Sequence, residues 1–334
     1  MRTPIKLKRA KIKTLFKKVF MDFLYWLIPS VLLLAVLVPL ILTLLIARKI
    51  YLYHFRRESK EKWARECSWN ENKEQVDMYE NGLKWGEENK AFLKDVHIAH
   101  DGLNLNGQFF DFGYDKTVFI HQGRTEACKY SYFFARPYAE SGYNVLVIDP
   151  RAHGLSDGKF NTLGYKESGD ILAWAKYLHD EFSQDHIIMH GVCIGAAAAL
   201  YALTDAACPD YMEGLVVEGM YENFYDSFKN HIIELKHPTF PVLQECNMLT
   251  HLYTGFSMKF GPKDVIGKYE KPLLMLHSNT DPYSLPEKAL KLFEACPSKH
   301  KKFRMFPKGQ HSHLRAVFEN EYDDEIKAFL KENF

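Results

Sequence analysis

Short apolar runs and longer helical patterns alternate along most of the chain. From residue 95 onward, apolar runs of strand length are each followed by a stretch with apolar residues at helical spacing. The helix predicted over Tyr165–Phe182 is typical, with apolar residues at 171, 172, 174, 175 and 178. Strands that alternate with helices predict a mostly parallel sheet covered by helices on both faces.

The individual elements follow from where these runs begin and end. A hairpin is predicted first, turned at Asp101-Gly102 because Asp-Gly favours a tight turn. The eight predicted strands are Asp95–His100, Leu103–Gly113, Thr117–His121, Tyr143–Ile148, His186–His190, Glu213–Val217, Lys271–Leu276 and Lys302–Phe306. The predicted helices include Ser131–Glu140, Tyr165–Phe182, Ala196–Ala207, Pro286–Ala295 and Leu314–Phe334.

One stretch near the N-terminus has a different pattern. Phe23 to Ile46 is a run of 24 residues without a charge. A helix of this length can cross a hydrocarbon core of about 30 Å. The run ends in Ala47-Arg48-Lys49, which lacks the small residues of a signal-peptide cleavage site. The sequence therefore predicts a single membrane anchor, so that the lipid bilayer is one expected partner.

Charge is divided unevenly along the chain. Residues 1–65 hold fifteen of the 43 Lys and Arg but three of the 42 Asp and Glu, whereas residues 66–334 hold 28 against 39. The folded part is therefore mildly acidic, which excludes nucleic acid as an expected partner because a duplex binder needs a basic face.

The orientation of the anchor rests on the basic residues that flank it. Residues 2–18 carry eight and residues 48–65 carry seven. The positive-inside rule then favours an inside N-terminus and an extracytoplasmic folded domain. A functional thiol in that domain would be safer in a reducing cytosol, which favours the opposite orientation.

A G-x-nucleophile-x-G pattern lies at the end of one predicted strand. The strand ending at His190 is followed by Gly191-Val192-Cys193-Ile194-Gly195 and then by an alanine-rich helix. In such an elbow the flanking residues must be very small, and the central side chain is exposed at the top of the sheet. The helix N-terminus beneath it favours an anion, which for Cys193 is the thiolate.

With these residues, the chain resembles the α/β-hydrolase superfamily, and within it the membrane-anchored bacterial hydrolases related to serine esterases and lipases. The resemblance covers about residues 80–334. Two departures are visible: the nucleophile position holds Cys193 instead of serine, and Gln122 follows His121 where the family usually has glycine. The motifs that carry the resemblance are Val118–His121, Asp149–Gly158, the elbow, the Asp281 loop and Gly309-Gln310-His311.

The resemblance implies a role for each motif residue. Cys193 would be the nucleophile, His311 the base and Asp281 the acid that orients the imidazole. The backbone N–H groups of Gly123 and Ile194 would form the oxyanion hole. No cofactor is expected, and no metal site either, because the histidines show no ligand spacing.

Several alternatives stay open from the sequence. His313 lies two residues from His311 and could take its place as the base, although the family pattern Gly-x-His selects His311. Asp281 could be only a turn former before Pro282, and Glu218 is then the reserve acid. His153 and Ser156 belong to a motif that is usually structural.

The resemblance also divides the chain into regions. We expect a basic segment over 1–22, a transmembrane helix over 23–47 and a juxtamembrane helical segment over 48–92. The α/β-hydrolase domain is then 93–334, with an aromatic and methionine-bearing cap insertion over 221–270.

Two functions follow from this reading. The first is an enzyme that cleaves carboxylic esters or thioesters of acyl or lipid-like substrates through a Cys-His-Asp triad. The second is a catalytically inactive hydrolase fold that serves as a membrane-tethered binding or scaffold protein, which the departures at Cys193 and Gln122 would allow.

Overall fold

The computed structural model describes residues 3–66 and 72–334, with side chains described from residue 11 onward. Cys67, one of the six cysteines, lies outside these residues. The chain forms two compact units, Met1–Lys49 and Ile50–Phe334. The N-terminal unit is helical, and the second holds the sheet and all of the predicted chemistry.

Helix α1 (Thr3–Phe55) contains the uncharged run and continues through Pro29 and Pro39. Its part from Lys11 to Phe55 is long and apolar enough to cross a membrane by length and composition. The helix ends where two cations bind its last carbonyls: Lys62 Nζ lies 2.6 Å from Tyr53 O, and Arg124 Nη1 lies 2.7 Å from His54 O. Such groups satisfy the carbonyls that a helix C-terminus leaves without partners.

Eight strands form one sheet in the order β1-β2-β4-β3-β5-β6-β7-β8. The pairs β1–β2 and β2–β4 are antiparallel and all other neighbours are parallel. The predicted fold class, a mostly parallel eight-stranded α/β-hydrolase sheet, is confirmed. The strands are β1 Leu93–His100, β2 Leu103–Phe110, β3 Lys116–His121, β4 Asn144–Ile148, β5 His186–Val192, β6 Met212–Glu218, β7 Leu273–Ser278 and β8 Lys301–Phe306.

Ten more α-helices accompany the sheet in the described residues. The predicted helix over Ser131–Glu140 is broken into short helical pieces, and the C-terminal helix is interrupted at Phe318. The helices are α2 Lys73–Glu88, α3 Cys128–Ser131, α4 Arg136–Ala139, α5 Tyr165–Phe182, α6 Ile194–Leu203, α7 Phe224–Glu234, α8 Val242–Thr254, α9 Pro286–Ala295, α10 Leu314–Val317 and α11 Glu319–Asn333.

Alternate residues of the strands enter two separate apolar cores, because side chains of a strand point to opposite faces. Phe119 packs with Trp174 of α5 and Leu200 of α6 on one face. Val118 packs with Trp85 of α2 and Ile326 of α11 on the other. Both faces are therefore covered, and polar side chains gather at the carboxyl ends of the parallel strands, where sites form in such sheets.

The juxtamembrane segment, residues 48–92, packs on this domain from Tyr51 onward. The Tyr51 ring stacks on Tyr253 of α8 with centroids 5.4 Å apart, and Trp63 stacks on His153 at 4.7 Å. Residues from 50 onward belong to the same compact unit as the sheet. The division of the chain at residues 92 and 93 stays a prediction.

Candidate active site

Cys193 lies between the end of β5 and the start of α6. Its backbone has φ 54° and ψ −113°, a conformation that side-chain-bearing residues rarely adopt. A Cβ on Gly195 would lie 2.0 Å from His121 O, and one on Gly191 would lie 2.5 Å from Ala196 Cα. Only glycine fits at either position, so the elbow predicted from the sequence has a steric basis.

His311 and Asp281 come from the loops after β8 and β7. His311 Nδ1 lies 2.6 Å from Asp281 Oδ2, and the two side chains are 13% and 2% exposed. Burial lowers the pKa of His311, but the Asp281 carboxylate and the Cys193 thiol raise it by more than burial lowers it. The pKa of His311 is therefore well above its ordinary value. His311 and Cys193 line the same pocket. The structure thus brings the three predicted side chains together.

The second oxygen of Asp281 is held by its own loop. Asp281 Oδ1 accepts hydrogen bonds from the backbone N–H groups of Tyr283 at 2.8 Å and Ser284 at 2.9 Å. Burial raises the pKa of Asp281, but His311 and the Ser284 N–H lower it more, and the net direction is down. Asp281 is therefore a fixed, ionised partner for the imidazole.

The reserve acid and the second histidine both have other partners. Glu218 accepts hydrogen bonds from Leu314 N at 2.9 Å and from the Tyr322 hydroxyl at 2.8 Å, and burial raises its pKa. His313 bonds to Glu74 and Gln75 of α2 at 2.6 and 2.7 Å through its two ring nitrogens. Neither side chain is free to act on Cys193.

The predicted oxyanion-hole residues flank the thiol. Ile194 is the first residue of α6, and a Cβ on Gly123 would lie 3.8 Å from Cys193 Cβ. Within residues 3–66 and 72–334, neither backbone N–H donates a hydrogen bond. These two groups are therefore available to an oxygen that develops charge next to the thiol.

Gln122 explains how the loop before this site is held without the usual glycine. Its amide nitrogen donates to Ile148 O at 2.9 Å and to Glu126 O at 3.1 Å. Its amide oxygen accepts from the Ser131 hydroxyl at 2.7 Å. The fully buried Gln122 thus ties the loop to β4 and α3 and leaves the Gly123 N–H in place.

The Asp149–Gly158 motif braces the neighbouring loop. Asp149 accepts from Cys128 N at 2.9 Å and pairs with Arg65 at 2.7 Å. Ser156 Oγ donates to Asp149 O at 2.6 Å, and His153 bonds to the carbonyl oxygens of Arg151 and Arg124. Apart from the Arg65 pair, these bonds all hold the backbone, which agrees with a structural role for this motif.

A pocket of about 210 Å³ opens in front of Cys193. Its walls include Phe224 and Phe228 of α7, together with Tyr283. An adjoining cavity of about 910 Å³ shares Tyr283 and is lined by Tyr53 and Trp63 of the juxtamembrane segment. The route to the thiol therefore passes between the domain and the segment that follows the apolar helix.

Several residues of this pocket were not predicted from the sequence. They are Arg124, Glu126, His231 and Tyr283, and Gln75 of the juxtamembrane segment. Arg124 was visible as a charge directly after Gly123, whereas the others needed the fold. Among the described residues, no group of three or more His, Cys, Asp and Glu side chains is placed to hold a metal ion.

Only part of the predicted cap faces the thiol. Phe224 and Phe228 line the pocket, whereas Phe240, Met248 and Leu252 are 76%, 52% and 72% exposed. The apolar side chains of residues 221–270 are thus divided between two surfaces, one that faces the pocket and one that faces solvent.

This fold and this arrangement of side chains place the chain among the α/β-hydrolases. Residues 130–334 match the prolyl oligopeptidase family model, and the chain belongs to that family. It is 28% identical over 207 residues to YqkD of Bacillus subtilis, covering 60% of this chain and 63% of that protein. It is also 28% identical over 195 residues to the membrane protein YNL320W of Saccharomyces cerevisiae, with 58% and 63% covered. The chain thus spans less than two thirds of the length of these relatives.

Solved structures show the same fold. The esterase Pf2001 of Pyrococcus furiosus has a TM-score of 0.62 at 24% identity, with 74% of this chain and 93% of that chain covered. The acylaminoacyl peptidase of Pyrococcus horikoshii has a TM-score of 0.55 at 18% identity, with 76% and 43% covered. The fold therefore occurs in both an esterase and a peptidase.

Proposed function

We propose that this protein hydrolyses carboxylic esters or thioesters through a Cys193–His311–Asp281 triad. The single observation that supports this most is His311, which bonds Asp281 through Nδ1 at 2.6 Å and lines the same pocket as the Cys193 thiol, which raises its pKa. This order of acid, base and nucleophile is the one that acyl transfer needs.

In the first half of the reaction Cys193 gives its thiol proton to His311, and its sulfur attacks the carbonyl carbon of the ester. The carbonyl oxygen becomes an oxyanion, which the N–H groups of Gly123 and Ile194 stabilise. The C–O bond to the alcohol then breaks as the protonated His311 gives its proton to the leaving oxygen. The raised pKa of His311 favours the imidazolium that this step requires.

In the second half water resolves the acyl-enzyme. His311, now neutral, takes a proton from a water molecule, whose oxygen attacks the thioester carbon. The same two N–H groups stabilise the second oxyanion, and the C–S bond breaks to release the carboxylic acid. Asp281 stays ionised throughout, because its pKa is held below the ordinary value.

Esters and thioesters fit this site better than peptides. An amine leaving group must be protonated before it departs, which a thiol nucleophile supports less readily than the loss of an alcohol or thiol. The inner pocket of about 210 Å³ accommodates a small acyl group between Phe224 and Phe228. A longer, lipid-like chain would extend into the adjoining cavity of about 910 Å³.

An inactive scaffold is the alternative, and thiol labelling separates the two. A neutral thiol-reactive probe should modify Cys193 faster than any other cysteine at neutral pH, because His311 sits against it. The His311→Ala variant should lose this preference. Equal labelling of all accessible cysteines in both proteins would favour the scaffold.

The esterase activity itself is tested by a substrate screen. Acyl esters and thioesters of increasing chain length, together with a peptide amide, should be assayed with the wild type and with Cys193→Ala. We expect turnover of esters that disappears in the variant. Turnover of the amide alone would assign a peptidase, and ester turnover that survives in Cys193→Ala would remove the triad from the chemistry.

We also propose that α1 anchors the protein in the membrane with its catalytic domain outside the cytoplasm. Eight basic residues before the span against seven after it support this orientation, and the benefit of a reducing compartment for Cys193 opposes it. The full chain should remain in the membrane pellet after carbonate extraction. A reporter fused after Phe334 that is active only when cytoplasmic would reverse the orientation.

A further inference from the structure

Arg124 is a charged side chain in the pocket that the triad mechanism does not use. It follows Gly123 directly, and it lines both the inner pocket next to Cys193 and the adjoining larger cavity. Burial lowers the pKa of its guanidinium, and the Cys193 thiol offsets this only in part, so that the net direction is down. Arg124 thus carries its charge in a partly buried position beside the nucleophile.

Three other buried or half-buried arginines of the domain have carboxylate partners, whereas half-buried Arg57 donates to the carbonyl oxygens of Ser156 and Gly154. Arg65 lies 2.7 Å from Asp149, Arg151 lies 2.6 Å from Asp170, and Arg315 lies 2.6 Å from Asp323. Within the described residues, no carboxylate oxygen lies within 4 Å of the Arg124 guanidinium. Since a buried charge is costly unless it is paired, this difference points to a partner that is not part of the chain.

Arg124 also has unused hydrogen-bond donors. Among the described residues, Nη1 contacts His54 O at 2.7 Å and His54 Nδ1 at 3.2 Å, and the guanidinium lies over the Phe55 ring at 5.5 Å. In the part of the chain that the structure describes, Nε and Nη2 donate to no acceptor. These two nitrogens form one edge of the planar guanidinium, the edge that binds a carboxylate or a phosphate through two parallel bonds.

The neighbouring side chains do not neutralise this charge. Glu126 lies in the same pocket, but it forms no ion pair with Arg124 within 4 Å, and its Oε1 accepts from Gln75 at 2.7 Å. His231 contributes no charge near neutral pH, because burial and Arg124 lower its pKa. The phenyl rings of Phe224 and Phe228 form part of the same wall. An anion at Arg124 would therefore lie in a partly buried site, where charge pairs are stronger than in bulk water.

We propose that Arg124 binds an anionic group of the substrate, so that this enzyme acts on esters or thioesters that carry a carboxylate or a phosphate near the scissile carbonyl. This proposal rests on the proposed esterase function, because it names the substrate class of that same site. Arg124 is then a specificity residue in the oxyanion loop, held in place by its bond to the end of α1.

The first test needs no turnover. Iodoacetate and iodoacetamide both alkylate a thiolate by displacing iodide, but only iodoacetate carries a carboxylate. We expect the ratio of the two Cys193 alkylation rates to fall about tenfold in Arg124→Gln, since a charge-assisted pair is lost. Arg304→Gln, which removes the same charge from an exposed residue outside both cavities, should leave the ratio unchanged.

This ratio separates specificity from a general effect on the thiol. If Arg124 only stabilises the Cys193 thiolate or the end of α1, both alkylation rates fall together and the ratio stays constant, which would overturn the proposal. Arg124→Lys keeps the charge but loses the bidentate edge and should give an intermediate ratio.

A protection experiment then identifies the anion. Glutarate and inorganic phosphate should each be tested for slowing the reaction of Cys193 with iodoacetamide, in the wild type and in Arg124→Gln. Protection by glutarate alone assigns a carboxylate, and protection by phosphate alone assigns a phosphate. Protection by neither, or protection that persists in Arg124→Gln, would count against the site.

The final test uses paired substrates. The 4-nitrophenyl monoester of glutaric acid and the neutral 4-nitrophenyl ester of pentanoic acid have acyl chains of equal length. Arg124→Gln should lower kcat/KM for the anionic ester by about 10- to 100-fold and change that for the neutral ester by less than about threefold. An equal loss on both esters would refute the substrate class but not the esterase, whereas activity that survives in Cys193→Ala would refute the proposed function.

Discussion

Two histidine–carboxylate pairs lie two residues apart in the sequence and occupy two different regions of the molecule. His311 Nδ1 is 2.6 Å from Asp281, and His313 Nδ1 is 2.6 Å from Glu74. The two rings differ in their other neighbours: the Cys193 thiol raises the pKa of His311, whereas His313 Nε2 bonds Gln75 at 2.7 Å. Equal pair geometry therefore does not distinguish the two histidines, but the neighbours of the rest of each ring do.

The two pairs also stabilise different parts of the structure: one orients a side chain in the pocket, and the other holds the juxtamembrane segment on the domain. Asp281 and His311 are both held by loops at the carboxyl ends of strands, so their bond orients a side chain toward the thiol. Glu74 lies on α2, so the His313 pair fixes the juxtamembrane segment against the domain. We expect changes in the first region to cost rate and changes in the second to cost stability.

The largest effect is expected from the nucleophile and the base. Cys193→Ala and His311→Ala should each lower kcat by at least about 10³-fold, and the double variant should be little worse than either, because the residues act as a unit. Steady-state kinetics and thermal unfolding should be measured on the same preparations. The assignment of Cys193 and His311 would be contradicted if either single variant kept its activity, or if the loss of kcat in the double variant were the product of the two single losses.

Replacing the Cys193 thiol by a hydroxyl tests whether the first region depends on a thiolate. Cys193→Ser should be impaired by about 10- to 100-fold, because a serine must give its proton fully to His311 during attack. Its rate should depend more steeply on pH than that of the wild type. A serine variant as fast as the wild type, with the same pH profile, would show that the site is not shaped for a thiolate.

Asp281→Asn is expected to lower kcat by less than loss of the base does, since it removes an orienting group and leaves the thiol and the imidazole in place. The pKa of His311 should fall, because the carboxylate that raises it is gone. NMR titration of the imidazole would measure this. If the pKa of His311 is the same in Asp281→Asn as in the wild type, the Asp281 carboxylate does not interact with the imidazole as described.

The same variant has a stability signature with a definite sign. Ionised Asp281 stabilises the fold above its unfolded pKa, and protonated His311 does so below its own. The free energy of unfolding should therefore drop most between about pH 4 and pH 6.5, and the difference should shrink as pH rises through the pKa of folded His311. Urea unfolding across this range tests it, and a drop confined to alkaline pH would reverse the assignment.

In the second region, removal of residues 1–49 should leave a soluble domain that keeps its activity, because Tyr51 and Trp63 remain. Adding Trp63→Ala to this protein should lower the free energy of unfolding by about 3 kcal/mol, since a buried ring stacked on His153 is lost. Chemical unfolding monitors this change. A stability equal to that of the parent would mean that the segment is only loosely attached.

The smallest effect on rate is expected at His313. His313→Ala should retain kcat within about threefold but lose about 1–3 kcal/mol of stability, because Glu74 and Gln75 lose their partner. His313→Gln should recover part of the stability through its amide. Loss of activity comparable to that of His311→Ala would erase the distinction between the two pairs.

The sequence was sufficient for the sheet and for the bounds of most strands, because the apolar runs are long and the hairpin turn at Asp101-Gly102 is specific. It was less successful over residues 131–140, which form broken helical pieces. There Tyr132, Phe133 and Phe134 enter the core together, and tertiary packing overrides the preference for a regular helix.

For the candidate site, the local sequence was sufficient to predict which residues follow the ends of the strands. Gly191 and Gly195 are dictated by steric contact, and Asp281 and His311 follow their strands in a fixed order. Contacts between segments far apart in the chain could not be predicted this way. Gln75 lies 238 positions from the ring of His313 that it bonds, and Arg124 meets the carbonyl of His54.

The sequence by itself thus determined the apolar helix, the parallel sheet and the order of Cys193, Asp281 and His311 after their strands, because periodicity and turn chemistry act over a few residues. Only the tertiary structure decided which histidine faces Cys193, that Glu218 is occupied by Leu314 and Tyr322, and that the juxtamembrane segment lines the way to the thiol. A hydrogen bond depends on where the second partner lies in space, and that position is set by the packing of the whole domain.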